Sequence, residues 1–311
     1  MSKAKVLYIH VTAATSEVMK NLVLAGIPAA LFDPRPFPVP DTTSFFLACR
    51  RDDTATKKAK TTMAHAVQAA VEDLNPLLGG CPVIDSVDSI DDLLNTQCET
   101  LASYSVVVAS RLTPSQATQI AEIVTKQGNK FFMLDTFGMD GACVIDLGAE
   151  HSYRPEKGKE LLDPCSLPTH VPTPQIFATP LHETVNRFHK TFPPLPWARY
   201  RLLLAYAEQT KTWPSAESAT DFVQVVQKWC QDTEIPETLQ KEQACLQNDA
   251  LESLSRVASA ELAPVASVLG GLVGNEVIKA LSGKGTPANN TLLLDGSSGK
   301  AWTFLVQPKT S

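Results

Sequence analysis

The segment after the first strongly apolar run, IHVTAATSEVMKNL (9 to 22), lies where an α/β protein would hold a phosphate group. A nucleotide-binding turn needs glycines there, because backbone N–H groups at a helix N-terminus must approach the phosphate closely. This segment contains no glycine. Thr15 or Ser16 can still cap a helix. We therefore expect no nucleotide site built from the residues of this turn.

Cysteine and histidine side chains are the other candidates for chemistry. Cys165 lies in the proline-flanked stretch DPCSLP, where no adjacent lysine, arginine or histidine would lower its pKa. We interpret it as a free thiol. The pairs Cys165 and His170, and His182 and His189, fit neither a structural zinc pattern nor a two-histidine helical pair. We therefore predict no catalytic, cofactor-binding or metal-binding residue.

The composition is that of a globular protein with a large core. The chain has 311 residues, of which 44% are hydrophobic and 19% are charged, which favours one large domain or one domain with an insertion. A net charge of -6 argues against nucleic-acid and anionic-membrane partners. Seven irregularly spaced cysteines without a CxxC motif indicate reduced thiols in the nucleus and cytoplasm. No apolar run reaches the roughly 20 residues of a membrane helix, so we expect a soluble protein whose partners are proteins.

Short β-branched apolar runs alternate with helical patterns in the first half of the chain. The runs are VLYIHV (6 to 11), AALF (29 to 32), PVI (82 to 84), SVVVAS (105 to 110) and KFFML (130 to 134). Such runs are typical of strands covered on both faces, and hence of a mainly parallel α/β sheet surrounded by helices. The first two helical stripes end at Gly26 and at Asn75-Pro76.

The composition of the chain changes near residue 151, because nine prolines lie between positions 155 and 196. Helical patterns return in RYRLLLAYAEQ and DFVQVVQKWCQD, and two strand-like runs, TLLLDG and AWTFLV, close the chain. We predict a discontinuous α/β core, formed by residues 1–150 and 256–311. A Pro-rich loop and helical insertion, 151–255, would separate the two parts.

A glycine-rich helix is predicted over ELAPVASVLGGLVGNEVIKAL (261 to 281). Gly270, Gly271 and Gly274 lie on a nearly side-chain-free surface beside an apolar stripe. Three glycines inside a helix cost roughly 3 kcal/mol relative to alanine, so close backbone packing must compensate. The partner in that packing is either the sheet of this chain or another subunit.

Several collinear segments resemble the Rossmann-like adenylation fold (ThiF-type) of the activating enzymes for ubiquitin-like proteins. They are the glycine-rich helix with the following SGKGTPANNTLLLDG, KNLVLAGI (20 to 27), LNP (74 to 76), the crossover KFFMLDTFGMDGACVIDLG (130 to 148), and IFATPLHETV (176 to 185) leading to RYRLLLAYAEQ. Their order and spacing most closely resemble the small, nucleotide-free subunit of the SUMO-activating enzymes. The resemblance covers most of the chain and is weaker at residues 150–175 and 210–255.

Most nucleotide-handling positions of that family hold other residue types here. The family's three glycines align with His10, Ala13 and Thr15. Asp33 matches the first acidic residue of the ribose-binding pattern, but Arg35 stands at the next acidic position. The remaining positions, in the order Asn, Arg-Gln, Lys, the magnesium-handling Asp and a following Arg, align with Asp41, Ser44-Phe45, Met63, Leu112 and Ala117. The resemblance thus implies that this chain binds no ATP.

The resemblance also implies a heterodimer. A larger catalytic subunit would hold ATP, magnesium and the thioester cysteine, and SUMO would be adenylated on the complex. By resemblance, the partner interface would include Phe137, Gly138 and Gly141 of the crossover and Pro264, Gly270 and Gly274 of the glycine-rich helix.

Three alternatives remain open at this stage. They are the small subunit of the NEDD8-activating enzyme, a free-standing, catalytically inactive scaffold, and an independent small-molecule adenylating or NAD-dependent enzyme, which the missing glycines disfavour. Family members also reach into the partner's ATP site with an arginine ahead of the first strand. The segment Met1 to Ala4 has no arginine, so either the start of the chain lies further upstream or this subunit supplies no such residue.

Overall fold

The computed structural model describes residues 4–37, 62–158, 160–184, 193–233, 235, 236, 240 and 243–308. Their framework is a seven-stranded sheet. Its strands are β1 (Val6–Ile9), β2 (Ala29–Phe32), β3 (Val106–Ala109), β4 (Lys130–Phe137), β5 (Asp140–Asp146), β10 (Thr291–Asp295) and β11 (Lys300–Phe304). Four two-residue strands form two small hairpins outside this sheet: β6 (Ser152–Tyr153), β7 (Glu156–Lys157), β8 (Glu160–Leu161) and β9 (Cys165–Ser166).

The described helices are α1 (Ala13–Leu24), α2 (Met63–Leu74), α3 (Ile90–Thr96), α4 (Cys98–Ala102), α5 (Pro114–Lys126), α6 (Thr173–Ala178), α7 (Leu195–Thr210), α8 (Ala219–Asp232), α9 (Asn248–Val257) and α10 (Ala263–Ser282). Three short 3-10 turns lie at Pro76–Leu78, Leu181–Glu183 and Ala244–Leu246. As predicted, α1 ends shortly before Gly26, and α2 ends immediately before Asn75-Pro76.

The sheet is mixed, with strand order β11-β10-β5-β4-β3-β1-β2. Strands β2, β1, β3 and β4 run parallel, and β5, β10 and β11 extend the sheet with antiparallel pairings. This architecture confirms the predicted α/β, Rossmann-like fold class. Because β1 lies between β2 and β3, the chain leaves it in opposite directions, and such a switch point opens a cleft at the carboxyl ends of the strands.

Both faces of β1 to β5 are buried, as the continuous apolar runs predicted, whereas most of the edge strand β11 is exposed. Alternate strand residues such as Tyr8 and Phe132 pack under α1, α2 and α10, while their neighbours Leu7 and Phe131 pack under α3 to α9. Helix α7, within the predicted insertion 151–255, contributes Tyr200 to the second of these cores. That segment therefore forms part of the layer that covers the sheet. The division of the chain at 151 and 255 stays a prediction.

Two predicted elements differ in the structure. PVI (82 to 84) makes only an isolated bridge between Val83 and Leu31 instead of a strand, because Pro82 supplies no N–H to extend a ladder. The segment 130–148, predicted as a crossover, is a tight hairpin in which β5 pairs antiparallel with β4 from Phe131↔Asp146 to Phe137↔Asp140. All seven residues of β5 are buried in the middle of the sheet.

Helix α10 packs closely against α1 of the same chain. A Cβ at Gly270 would lie 2.4 Å from Glu17 Cβ and 3.0 Å from the carbonyl oxygen of Ala14, so only glycine lets the two helices approach this far. Among the described helices, α10 alone is long and apolar enough to cross a membrane, which differs from the prediction that no run would reach that length. Half of its most apolar window is buried inside the protein. Its packing is that of a core helix.

Candidate functional site

A cleft of about 500 Å³ opens at the carboxyl ends of β1, β2 and β3. His10 follows β1, Arg35 follows β2 and Arg111 follows β3, and all three line the cleft together with Trp213 and Glu261. This is the position at which an open α/β sheet presents its ligand site. Its walls are therefore the part of the chain to test for nucleotide chemistry.

His10 has a backbone conformation that is usual for glycine. Its φ is 61°, in the left-handed region that an L-residue adopts at a cost of roughly 1–2 kcal/mol. The ring is buried, and Nδ1 donates a hydrogen bond to the carbonyl oxygen of Ser110 at 3.0 Å. Burial, assisted by the nearby Arg35 charge, lowers the pKa of His10 to about 4. The imidazole is therefore neutral near pH 7 and fills the turn where phosphate would need open backbone.

Two N–H groups in the first turn of α1, those of Ala13 and Thr15, donate to side chains of this chain. Thr12 and Thr15 form a capping box, in which Thr15 Oγ1 accepts from the Thr12 N–H at 2.8 Å and Thr12 Oγ1 accepts from the Thr15 N–H at 3.3 Å. The N–H of Ala13 donates to Glu261 Oε2 at 2.8 Å. The Glu261 carboxylate, from the C-terminal part of the chain, thus accepts a hydrogen bond from a backbone N–H that a phosphate would use.

The acidic residue after β2 is neutralised by its neighbour. Asp33 accepts from the Val11 N–H at 2.7 Å, and Arg35 binds it in bidentate fashion through Nε at 2.8 Å and Nη2 at 2.7 Å. Burial opposes the positive charge of Arg35, but the hydrogen bonds and charge of Asp33 raise its pKa overall. Both carboxylate oxygens of Asp33 are engaged within the chain, so they are not free for a ribose hydroxyl.

Arg111 lines the cleft, and the buried Asp135 lies behind it, 3.7 Å from its Nε. Asp135 accepts from the hydroxyl of Ser110 at 2.7 Å, the N–H of Arg111 at 2.9 Å and the hydroxyl of Tyr200 at 2.7 Å. Burial raises the pKa of Asp135, while the Arg111 charge and these bonds oppose the rise. The guanidinium of Arg111 stacks over Trp213, with 4.4 Å from its carbon to the ring centroid. These partners of Asp135 and Arg111 all belong to the chain itself.

The residues present do not fit ATP and magnesium. Leu112 and Ala117, which align with the family's magnesium-handling aspartate and a following arginine, are fully buried in the apolar core, and Met63 is buried at the start of α2. Asp41 and Ser44-Phe45 lie outside the described residues. In the part of the chain that the structure describes, no group of histidine, cysteine and acidic residues could hold a metal ion.

Five of the six residues predicted at a partner interface are buried within the chain. Phe137 is 1% exposed, and Gly138, Gly141, Gly270 and Gly274 are buried; Pro264 alone is exposed. The close approaches are made within the chain. A Cβ at Gly141 would meet Leu269 at 3.0 Å, and one at Gly138 would meet Val257 at 3.1 Å. The glycines thus serve internal packing, and a partner contact through them stays a prediction.

Cys165 lies away from the cleft. It is exposed on β9, where it pairs with Tyr153 of β6, and it does not line the cleft. The six cysteines in the described ranges are unpaired thiols, and Cys49 lies outside them. His170 does not contact Cys165 as a metal partner; its Nε2 lies 3.0 Å from Asp146 Oδ1. His189 lies outside the described residues.

Sequence reasoning missed Glu261 and Arg111. Arg111 carries a usable signal, because it directly follows a parallel strand, where site residues of α/β sheets gather. No sequence pattern identifies Glu261, because its contact with Ala13 joins positions 248 residues apart.

The seven-stranded sheet has the Rossmann-like arrangement of an adenylation fold, and side chains of the chain itself line the cleft at its switch point. No family model matches the chain. SUMO-activating enzyme subunit 1 of Homo sapiens is 24% identical over 98% of this chain and 90% of its own length, and that of Dictyostelium discoideum is 24% identical over 96% and 86%. DNA damage tolerance protein rad31 of Schizosaccharomyces pombe is 23% identical over 97% and 89%. The resemblance to the small subunit of SUMO-activating enzymes is thereby confirmed across nearly the whole chain, and these relatives do not support the NEDD8 alternative.

Proposed function

We propose that this chain is the small, non-ATP-binding subunit of a heterodimeric SUMO-activating enzyme. It supports adenylation of SUMO and thioester formation on a larger catalytic subunit, in the nucleus and cytoplasm. The observation that carries the proposal is the near full-length similarity to proteins named SUMO-activating enzyme subunit 1.

The self-filled cleft supports the division of labour. Glu261 takes a donor of the α1 N-terminus, Arg35 neutralises Asp33, and the aligned magnesium position is the buried Leu112. A chain with these three features has no obvious place for the triphosphate and its metal. ATP and magnesium would accordingly bind in the larger subunit, where the adenylate would form.

An exposed apolar surface near the β4–β5 turn supports a protein partner. Met139 at the turn is 47% exposed, Val257 at the end of α9 is 42% exposed, and Leu262 before α10 is 39% exposed. The three are joined through Gly138, which precedes Met139, is adjacent to Val257 and pairs with Glu261. A cluster of large apolar side chains at one edge favours an interface over solvent.

Reconstitution tests the proposal. The chain is co-expressed with the larger SUMO-activating subunit of the same organism, and the ATP-dependent thioester between SUMO and that subunit is followed on a non-reducing gel. We expect the thioester only when both chains are present, and we expect none when ubiquitin or NEDD8 replaces SUMO. A NEDD8 thioester in place of a SUMO thioester would instead favour the rival subunit assignment.

A matched pair of surface variants locates the contact. Met139→Glu places a charge in the apolar surface and should reduce recovery of the complex. Leu77→Glu, at a residue that is 95% exposed in the short turn after α2, should leave recovery unchanged. If the unmodified chain recovers no larger subunit, the free-standing scaffold becomes the better account.

A further inference from the structure

The two outer strands of the seven-stranded sheet differ in what lies beside them. The segment 82–84 bridges the outer edge of β2, since the Leu31 N–H donates to the Pro82 carbonyl oxygen at 2.9 Å and the Ile84 N–H donates to the Leu31 carbonyl oxygen at 2.9 Å. Strand β11 ends the sheet on the other side, and within the described ranges it pairs with β10 alone. One edge of the sheet is therefore bridged and the other is open.

The open edge is formed by the backbone of alternate residues of β11. The Phe304 carbonyl oxygen accepts from a hydroxyl of β10. Just beyond the strand, the Val306 N–H donates to Asn290 Oδ1 at 2.9 Å, and its carbonyl oxygen accepts from Asn290 Nδ2 at 2.7 Å. Successive residues of an antiparallel strand turn their N–H and carbonyl groups to opposite sides. Ala301 and Thr303 therefore present theirs outward, away from β10.

Little on β11 would keep another strand away from this edge. Ala301 and Thr303 are exposed, and Trp302 is partly exposed. Lys300, at the start of the strand, carries its only charge, and the strand contains no proline. Its register with β10 runs without a bulge. Charges, prolines and bulges are the features that protect sheet edges from pairing with another chain, so a single terminal lysine leaves the edge available.

We propose that the outer edge of β11 is an interface with a second copy of this chain, in which two β11 strands pair antiparallel about a two-fold axis. With Trp302 at the axis, Ala301 of each copy lies opposite Thr303 of the other, and each pair exchanges both of its N–H···O bonds. The same register places each Lys300 opposite Phe304 of the other copy, so that like charges do not meet.

The other edge of the sheet limits the assembly to two chains. Because the segment 82–84 occupies Leu31 of β2, only the β11 edge is open, and a two-fold pairing of identical edges closes on itself. The interface does not involve Met139, Val257 or Leu262, the exposed apolar surface near the β4–β5 turn. The inference is therefore independent of the SUMO assignment.

Analytical ultracentrifugation of the isolated full-length chain tests the inference. The buffer contains about 150 mM sodium chloride, which screens the repulsion between two chains of net charge -6. We expect the weight-average mass to rise from that of one chain at about 1 μM toward that of two at about 200 μM, because an interface of one strand pair is at the small end of specific interfaces.

A matched pair of variants at Thr303 separates edge pairing from other association. Thr303→Pro removes an outward N–H, and proline is tolerated on an edge strand where its nitrogen faces solvent. By symmetry two hydrogen bonds are lost, each contributing about a fivefold factor, so the dimer should be about thirtyfold weaker. Thr303→Val keeps the N–H and nearly the same volume, and it should associate as the wild type does.

Hydrogen exchange of the unmodified chain, followed by NMR, gives a readout that needs no variant. The amides of Ala301 and Thr303 should exchange at least about tenfold more slowly at the highest concentration than at the lowest. The amide of Trp302, which faces β10, should exchange at the same rate at both. If Thr303→Pro does not fold, this measurement decides alone.

Three results would overturn the inference. They are a wild-type chain that stays monomeric over the whole concentration range, association of Thr303→Pro that equals that of the wild type, and exchange at Ala301 and Thr303 that does not depend on concentration. A monomer would leave the edge to a strand from a different protein.

Discussion

Replacing Gly270 with alanine tests the close approach of α1 and α10. The new Cβ would lie 2.4 Å from Glu17 Cβ, 3.0 Å from the Ala14 carbonyl oxygen and 3.2 Å from the Val18 nitrogen. Two of these atoms belong to the backbone and cannot rotate away, so the helices must separate. Overpacking of this kind costs about 1–3 kcal/mol, and we take the upper end because backbone is involved. Alanine returns about 1 kcal/mol of helix propensity, which leaves a net loss of about 2 kcal/mol in the free energy of unfolding.

Gly271 is the matched control, one residue further along the same helix. A Cβ there meets nothing within 4 Å, so Gly271→Ala should stabilise the chain by about 1 kcal/mol. Urea unfolding followed by circular dichroism should therefore separate the two variants by about 3 kcal/mol. In a chain of this length the difference corresponds to about 6 °C in Tm. Equal stability of the two variants would refute the close approach of the helices.

The remaining predictions concern ligand binding, chemistry and stability. The isolated chain should bind ATP-Mg no better than about millimolar by calorimetry, because its own side chains fill the phosphate positions; a micromolar dissociation constant would contradict the proposed division of labour. Cys165→Ala should leave the SUMO thioester of the reconstituted complex intact on a non-reducing gel, since no cationic neighbour activates this thiol; loss of the band would make it catalytic. Arg201 donates to the carbonyl oxygens of Ile176, Phe177 and Thr179 at 3.4, 2.8 and 3.0 Å. Arg201→Met should therefore cost about 2–4 kcal/mol of stability. Arg256→Met, at an exposed arginine, should change the stability by less than about 0.5 kcal/mol. The pKa of His10 is about 4 in the folded chain, against its ordinary value of 6.5. The unfolded chain therefore binds more protons between these two pH values, and stability falls on acidification from pH 6.5 to pH 4, by up to about 3 kcal/mol from this residue. His10→Asn, tolerated at positive φ, should flatten that slope in urea titrations, and an unchanged slope would contradict the buried neutral imidazole.

Local patterns determined much of the fold. Continuous apolar runs predicted β1, β2, β3 and the start of β4, because a strand that is buried on both faces cannot carry polar residues on alternate positions. The C-terminal ends of α1 and α2 could also be predicted, because glycine and proline affect the backbone within one or two residues. The strand predicted at PVI (82 to 84) is only an isolated bridge, because Pro82 has no N–H with which to extend a ladder.

Residue types also determined what the cleft lacks. Glycine is absent from the turn after β1, and Leu112 and Ala117 stand at two aligned nucleotide positions. Residue type alone is sufficient here, because a side chain excludes what glycine would admit and an alkyl side chain can neither ligate magnesium nor bind a phosphate. They left undecided what occupies the cleft instead.

Tertiary structure decided the direction of β5, the neighbour of the glycine-rich helix and the occupant of the α1 N-terminus. The sequence pattern around Gly270 would be the same whether this residue packed against the sheet, against α1 or against another subunit. Apolar periodicity identifies the buried face of a helix but not the element that covers it. The contact between Glu261 and Ala13 joins residues 248 positions apart. Such a contact depends on how the helices and strands are placed in space, which propensity and spacing along the chain do not specify.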